Sequence, residues 1–256
     1  MAALSKVDRH HKILELLATD QRALLPDLED LIEASRITIQ RDLVELEERG
    51  LIRRFHGGAM LTGYDLAPLA HGQRMSINRD AKRRLAAVAA RQIKPDTFIG
   101  LDASSTVYHI SDATLPANLT VVTSGLDTFV NLQAANPGRG IQPIVTGGRF
   151  QPETHTLVGP DALRAIASYH YEAFFFSAYS VIAGSGVYED SEENTEVKRA
   201  FAERSDRRIL VLDRSKFGHR GGVRICGLDE VDLVITDGRP GVELEETLGD
   251  RLVIIE

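Results

Sequence analysis

Three short loops hold the residues best suited to chemistry: Asp102-Ala103-Ser104-Ser105-Thr106, Thr123-Ser124-Gly125 and Gly147-Gly148-Arg149. Each follows an apolar run and opens toward a helical stretch, so free backbone N–H groups and hydroxyls can cradle an anion such as phosphate. One such loop is weak evidence, because glycine and serine are common in turns; three in succession are stronger. Two further segments add charge: a helical stretch with Glu196 and Lys198, entered through Gly186 to Asp190, and Asp213-Arg214-Ser215-Lys216-Phe217-Gly218. Lys216 is the leading candidate to meet a phosphate as a compact point charge, with Asp102 accepting sugar hydroxyls. The plainer alternative is that Asp213 and Lys216 cap a turn and that Glu196 and Lys198 are ordinary helix charges.

A different chemistry is written near the start. Ser35, Arg36, Thr38, Gln40 and Arg41 fall on the first turns of a predicted helix, where short polar and basic side chains reach phosphates and base edges of a duplex. Arg53, Arg54, His56 and Gly57 follow in a short basic hairpin. No metal and no cofactor are expected: the eight histidines are scattered, and the adjacent pair His10-His11 projects about 100° apart on a helix. The single cysteine, Cys226, reads as a small buried apolar residue.

Among the elements that must support these residues, Val7, Ile13, Leu14, Leu16 and Leu17 predict an amphipathic helix over Val7 to Ala18. A second helix is expected over Pro26 to Glu33 with Leu28, Leu31 and Ile32 on one face, and a third over Arg36 to Arg49 with Ser35 as its N-cap. Leu51 to Ala59 reads as a strand, a glycine turn and a returning strand. Together these predict a winged helix-turn-helix over residues 1–60; the alternative is a three-helix bundle for oligomerisation. Residues 61–78 read as an irregular linker, and Arg79 to Gln92 as a helix with Lys82, Arg83 and Arg84 exposed. Seven apolar runs follow, at Thr97–Leu101, Thr120–Thr123, Pro143–Thr146, Ala173–Ser177, Arg208–Leu212, Asp232–Thr236 and Leu252–Ile255, with helical stretches between them. That alternation predicts an α/β domain over 79–256 with a mostly parallel sheet and ligands at the strands' C-terminal ends.

Bulk composition narrows the classes. With 43% apolar and 26% charged residues the chain is core-forming. No apolar run approaches the ~18 residues of a membrane span and no signal peptide is evident, so a cytoplasmic location without membrane contact is expected. The formal charge of −7 argues against an indiscriminate polyanion binder. Even the first sixty residues carry nine basic against eleven acidic side chains. Position therefore has to do what net charge does not: acids gather at Asp27 to Glu33 and Glu45 to Glu48, away from the expected contact turns.

Ser35 to Leu43, continued by Leu46 to Arg54 and His56-Gly57-Gly58-Ala59, resembles the N-terminal signature of DeoR-type transcription repressors. The Asp102 loop, Val121 to Ser124, Gly147-Gly148, Glu196 to Arg199 and Asp213 to Gly218 resemble the successive motifs of that family's C-terminal sensor domain. The sequence departs from the family pattern at Gln40, commonly arginine, at Ser104, commonly glycine, and at Ser124, commonly asparagine. The resemblance implies a sensor domain folded like sugar-phosphate isomerases, and a repressor whose operator DNA binding is modulated by a phosphorylated sugar or related small-molecule effector. A homo-oligomer, dimer or tetramer, is expected because one such unit reads only a short half-site. A reading from another class stays open, an isomerase-like enzyme with an appended DNA-binding domain, for which Asp102, Glu196 and Lys216 would supply the acid–base groups.

Overall fold

Ile13 and Leu17, one helical turn apart, set the buried stripe of the first helix, α1 (Lys6–Asp20). In the computed structural model, which describes residues 4–20, 22–32, 34–55, 58–61, 71–218 and 222–255, α1 is followed by β1 (Arg22–Leu24), α2 (Leu25–Ile32), α3 (Arg36–Glu48), β2 (Ile52–Phe55) and β3 (Gly58–Leu61). Leu28, Ile32, Ile39, Leu43, Leu46 and Ile52 close one apolar core with Ile13 and Leu17. The three helices and the hairpin follow the expected pattern. Two apolar residues do not: Val7 is 74% and Leu31 44% exposed. Val7 lies six positions before Ile13, about 240° around the helix, and so falls off the buried stripe. Leu31 sits at the edge of the face made by Leu25, Leu28 and Ile32. β1 was not anticipated; it pairs antiparallel with β3 at Ala23–Ala59 and extends the hairpin to three strands.

The chain divides into two units, residues 1–69 and 70–256. The second begins with α4 (His71–Ser76), a helix inside the stretch expected to be irregular, and α5 (Arg79–Ala90). There follow β4 (Phe98–Leu101), α6 (Ser105–Tyr108), β5 (Thr120–Thr123), α7 (Leu126–Ala135), β6 (Gln142–Val145), β7 (Arg149–Gln151), β8 (Thr156–Val158) and α8 (Pro160–Ala167). The remainder is β9 (Ala173–Phe176), β10 (Ser180–Ile182), β11 (Gly186–Glu189), α9 (Glu192–Glu203), β12 (Arg208–Val211), β13 (Val223–Cys226), β14 (Leu233–Thr236), α10 (Val242–Leu248) and β15 (Leu252–Ile254).

All seven expected runs become strands of one parallel sheet, in the order β15-β14-β12-β9-β4-β5-β6. Their continuous apolar sequence has a direct cause, since alternate residues enter different cores. Phe174, Phe176 and Leu210 pack with α9 on one face, and Phe175, Ile209 and Val211 pack with α5 on the other. At Gly100 a Cβ would lie 2.8 Å from the Phe201 ring; its absence lets Phe201 stack on Phe174 with centroids 4.9 Å apart. The antiparallel pairs β7–β8 and β10-β11-β13 were not foreseen. Lys82 corrects another expectation: it is buried beside Leu85, Ala86 and Ala89 on the inner face of α5. Cys226 is buried as expected, and burial pushes its thiol up to about 12. Among the described residues no helix is long and apolar enough to cross a membrane.

Candidate functional site

In the first unit the candidate surface is the start of α3. Ser35 caps the helix, its hydroxyl accepting the Thr38 N–H at 3.3 Å and lying 2.9 Å from Thr38 Oγ1. Arg36, Gln40 and Arg41 are exposed, and so is Ile37, at 63%. Ile37 was missed from sequence because it fits no buried stripe; an apolar side chain there suits contact with a thymine methyl. Arg54 is tied back to α3, with its Nε donating to Glu47 Oε2 at 2.7 Å and its backbone N–H to Glu47 Oε1 at 2.9 Å. The side chain of Arg53 and the whole of His56 and Gly57 lie outside the described residues. The buried carboxylate of Asp42 holds α3 against α1: Arg9 donates to it at 2.7 and 3.0 Å, and His10 Nε2 stands 3.3 Å away.

In the second unit the strand order reverses between β4 and β9, and a parallel sheet opens a crevice at such a reversal. Asp102, at the C-terminal end of β4, spans it. Its Oδ1 accepts from Ser104 N–H at 2.9 Å, and its Oδ2 from Ser177 N–H, beyond β9, at 3.0 Å. Lys198 of α9 lies 3.2 Å from the same oxygen, donates to Ser177 O at 2.7 Å and pairs with Glu189. Burial works against the Lys198 ammonium, but Glu189 and Asp102 outweigh it and hold its pKa above the ordinary lysine value.

A small cleft of about 50 Å³ opens over this cluster, lined by Arg74, Asp102, Ala103, Ser104, Ser124, Thr154, Thr156, Glu189, Asn194, Val197 and Lys198. The β4 and β5 loops meet at its floor because position 125 is glycine: a Cβ there would sit 2.9 Å from Ala103 Cα. Three lining atoms are buried with no hydrogen-bond partner among the described residues: Arg74 Nε, Ser124 Oγ and Asn194 Oδ1. A buried polar group without a partner is costly, and three converging on one cleft mark a place built for a polar ligand.

Of the residues expected to bind an effector, Asp102, Ser104, Ser124 and Lys198 line the cleft. Ser105, Thr106 and Thr123 are buried beside it, Ser105 accepting from Lys82 Nζ at 2.9 Å and Thr123 Oγ1 accepting from Gly125 N–H at 3.0 Å. The third loop stands elsewhere. Gly148 packs where a Cβ would fall 2.5 Å from Val158 O, Gly147 precedes it at φ +70°, and Arg149 pairs with Glu193. Glu196 is exposed because it lies two residues, about 200° of helix, from the inward-facing Lys198. Lys216 ends a 3-10 turn, Arg214–Lys216, that Asp213 caps by accepting Ser215 N–H at 3.0 Å. Burial pushes the Asp213 carboxyl up, but Lys216, Ser215 and Lys82 together hold it below the usual carboxylate range. Lys216 thus serves a second cluster, with Asp213 and Lys82, outside the cleft lining. Lys82 itself is lowered to about 8, by burial first, with Asp213 opposing and Lys216 and Arg74 assisting.

Sequence reasoning missed Arg74, Thr154, Thr156 and Asn194. Arg74 lay in the supposed linker, Thr154 in a turn, and Thr156 in a strand too short to show a period. Asn194 had a readable signal, since it stands four residues before Lys198 and shares its helix face.

Residues 9–63 match the family of the DeoR-like helix-turn-helix domain, and residues 77–238 match the DeoR C terminal sensor domain. The chain belongs to the DeoR family of transcriptional regulators. The DeoR-family relative HTH-type transcriptional regulator GolR of Listeria innocua is 33% identical over 91% of each chain. The Glycerol-3-phosphate regulon repressor of Escherichia coli is 28% identical over 99% of each chain. Among solved structures, ribose 5 phosphate isomerase A from Neisseria gonorrhoeae overlaps 56% of this chain and 55% of its own at 15% identity and a TM-score of 0.39, too remote a likeness to add to the reading.

Proposed function

We propose that this DeoR-family chain is a repressor whose sensor unit binds a phosphorylated sugar or related metabolite, and that the bound metabolite changes its affinity for operator DNA. The observation that carries this reading is the set of three orphaned polar atoms in one cleft, a cationic donor on Arg74 and neutral groups on Ser124 and Asn194. Arg74 supplies a fork for a phosphate, and Ser104 and Ser124 supply hydroxyls. Asn194 and Asp102 supply acceptors for the hydroxyls of a polyol chain. A relative whose name joins glycerol 3-phosphate to repression supports the same ligand class. On the DNA side, we assign base contact to Ile37, Thr38, Gln40 and Arg41, and phosphate contact to Arg36 and the wing.

Binding without turnover fits the geometry better than isomerisation. An isomerase reading needs a carboxylate free to take a proton, and Asp102 already accepts two backbone N–H groups and faces Lys198. A helix-turn-helix reads one half-site, so we assign the active form as a homo-oligomer on repeated sites.

The deciding experiment is fluorescence anisotropy of labelled upstream DNA from the chain's own operon, with a panel of phosphorylated three- to six-carbon sugars and polyols. At least one is expected to shift DNA affinity fivefold or more, and Arg74→Gln to abolish the shift while leaving effector-free DNA binding intact. Failure of every phosphorylated compound to move either DNA affinity or melting temperature overturns the effector assignment. Failure to bind the DNA at low salt overturns the repressor.

A further inference from the structure

The fold brings together two histidines that lie eighty-four positions apart in sequence. His71 opens α4, His155 sits in the turn before β8, and Asp127 stands in the first turn of α7. One carboxylate oxygen, Asp127 Oδ2, faces both rings, 2.9 Å from His71 Nε2 and 2.8 Å from His155 Nδ1. The rings stack with centroids 4.4 Å apart. His71 is 5% exposed, yet neither of its ring nitrogens makes a sound hydrogen bond among the described residues. A buried imidazole without a well-aligned hydrogen bond is costly, and the Asp127 carboxylate and the Thr154 backbone offset only part of that cost. His155 holds a left-handed backbone, φ +55°, a conformation that costs energy for a side chain other than glycine and gathers at functional positions.

We propose that His71, Asp127 and His155 form a divalent transition-metal site, of the zinc, cobalt or nickel class, with a fourth position open to water or an anion. Two imidazoles and one carboxylate select such ions over magnesium or calcium, which require more oxygen ligands. The three ligand atoms lie within 4.8 Å of one another. A tetrahedral ion with bonds of about 2.0–2.1 Å needs them roughly 3.3 Å apart, so the two nitrogens close by up to about 1.5 Å through a swing of the His155 ring out of the stack, while the Asp127 contacts open by about half an ångström. His155 is only partly buried, which leaves it room for that swing. The ion would fasten α4 to the β8 turn on the rim of the cleft, since Arg74 of α4 and the threonines flanking His155 all line it. The site stands on its own geometry, whatever ligand the cleft takes.

The test is titration of the chelator-treated full chain with Co²⁺, following visible ligand-field bands and melting temperature, with Zn²⁺ as competitor. One Co²⁺ per chain is expected, with the stronger bands of four-coordination, displaced by Zn²⁺, and a raised melting temperature. His155→Asn tolerates the left-handed backbone and removes the imidazole. It is expected to weaken binding by at least the 10–100-fold that loss of an outer-sphere partner costs. Asp127→Asn, on a half-exposed first turn, provides a second variant should the first fail to melt cooperatively. The site is overturned if the parent chain takes up no saturable equivalent, or if both variants bind Co²⁺ as the parent does; the trio is then a hydrogen-bonded pair of imidazoles on one carboxylate.

Discussion

Lys82 is a charged side chain that the fold places among alanines and leucines, where its ammonium donates to Ser105 Oγ and to the Arg74 carbonyl. Its position was readable: residues 82, 85, 86 and 89 share one helix face, and only the neighbouring arginines at 83 and 84 made it look solvated. Because its folded pKa is about 8, below the 10.5 of a free lysine, the charged form is penalised. That penalty is fully present below pH 8 and is relieved as pH rises toward 10.5. Lys82→Met is therefore expected to flatten the rise in stability between about pH 8 and 10, relative to the parent chain, by up to roughly 3 kcal/mol. Denaturant melts across that range read it out, and parallel curves for the two proteins would refute it. Ser124 makes the opposite case. Its hydroxyl has no partner among the described residues, so Ser124→Ala is expected to leave the melting temperature unchanged or raise it, while weakening effector binding about 2- to 13-fold for one lost hydrogen bond. Calorimetry with the effector and thermal melting without it separate the two effects.

At the scale of elements, the seven parallel strands were legible because burial on both faces removes polar residues from the run. The small antiparallel strands were not, since β7, β8 and β10 have three residues each and mix polar with apolar side chains. The first two small-residue loops were rightly placed together, whereas the third could not be told apart from them by composition; only the packing of Gly148 against β8 separates it. Gly125 makes the meeting of the first two possible, and Gly125→Val is expected to push the β5 loop off Ala103 and reduce effector affinity at least tenfold, with DNA binding retained. In the first unit, Asp42 anchors α3 through Arg9 and His10. Asp42→Ala leaves the partly exposed Arg9 guanidinium without its carboxylate and is expected to cost about 1–3 kcal/mol, detected as early melting of residues 1–69 and loss of DNA binding. An unchanged melt would mean that helix packing alone holds α3.

For the whole molecule, binding at two sites carries a thermodynamic obligation. If the effector lowers operator affinity by some factor, operator DNA must lower effector affinity by the same factor. Calorimetric titration of the effector into the free chain and into the DNA complex measures one factor and operator anisotropy with and without effector measures the other, and unequal factors would expose a missing linked equilibrium such as a change in oligomeric state. The order of the strands has a separate meaning for synthesis. β4 is made first yet ends in the middle of the sheet, and its second edge stays unpaired until β9 is complete. Seventy-five residues separate Leu101 from Phe176, which at 5–20 residues per second leaves roughly 4–15 s on the ribosome. Through that interval a nascent chain carries a bare strand edge, and then three consecutive phenylalanines waiting for a partner, the kind of exposure that invites mispairing with another chain.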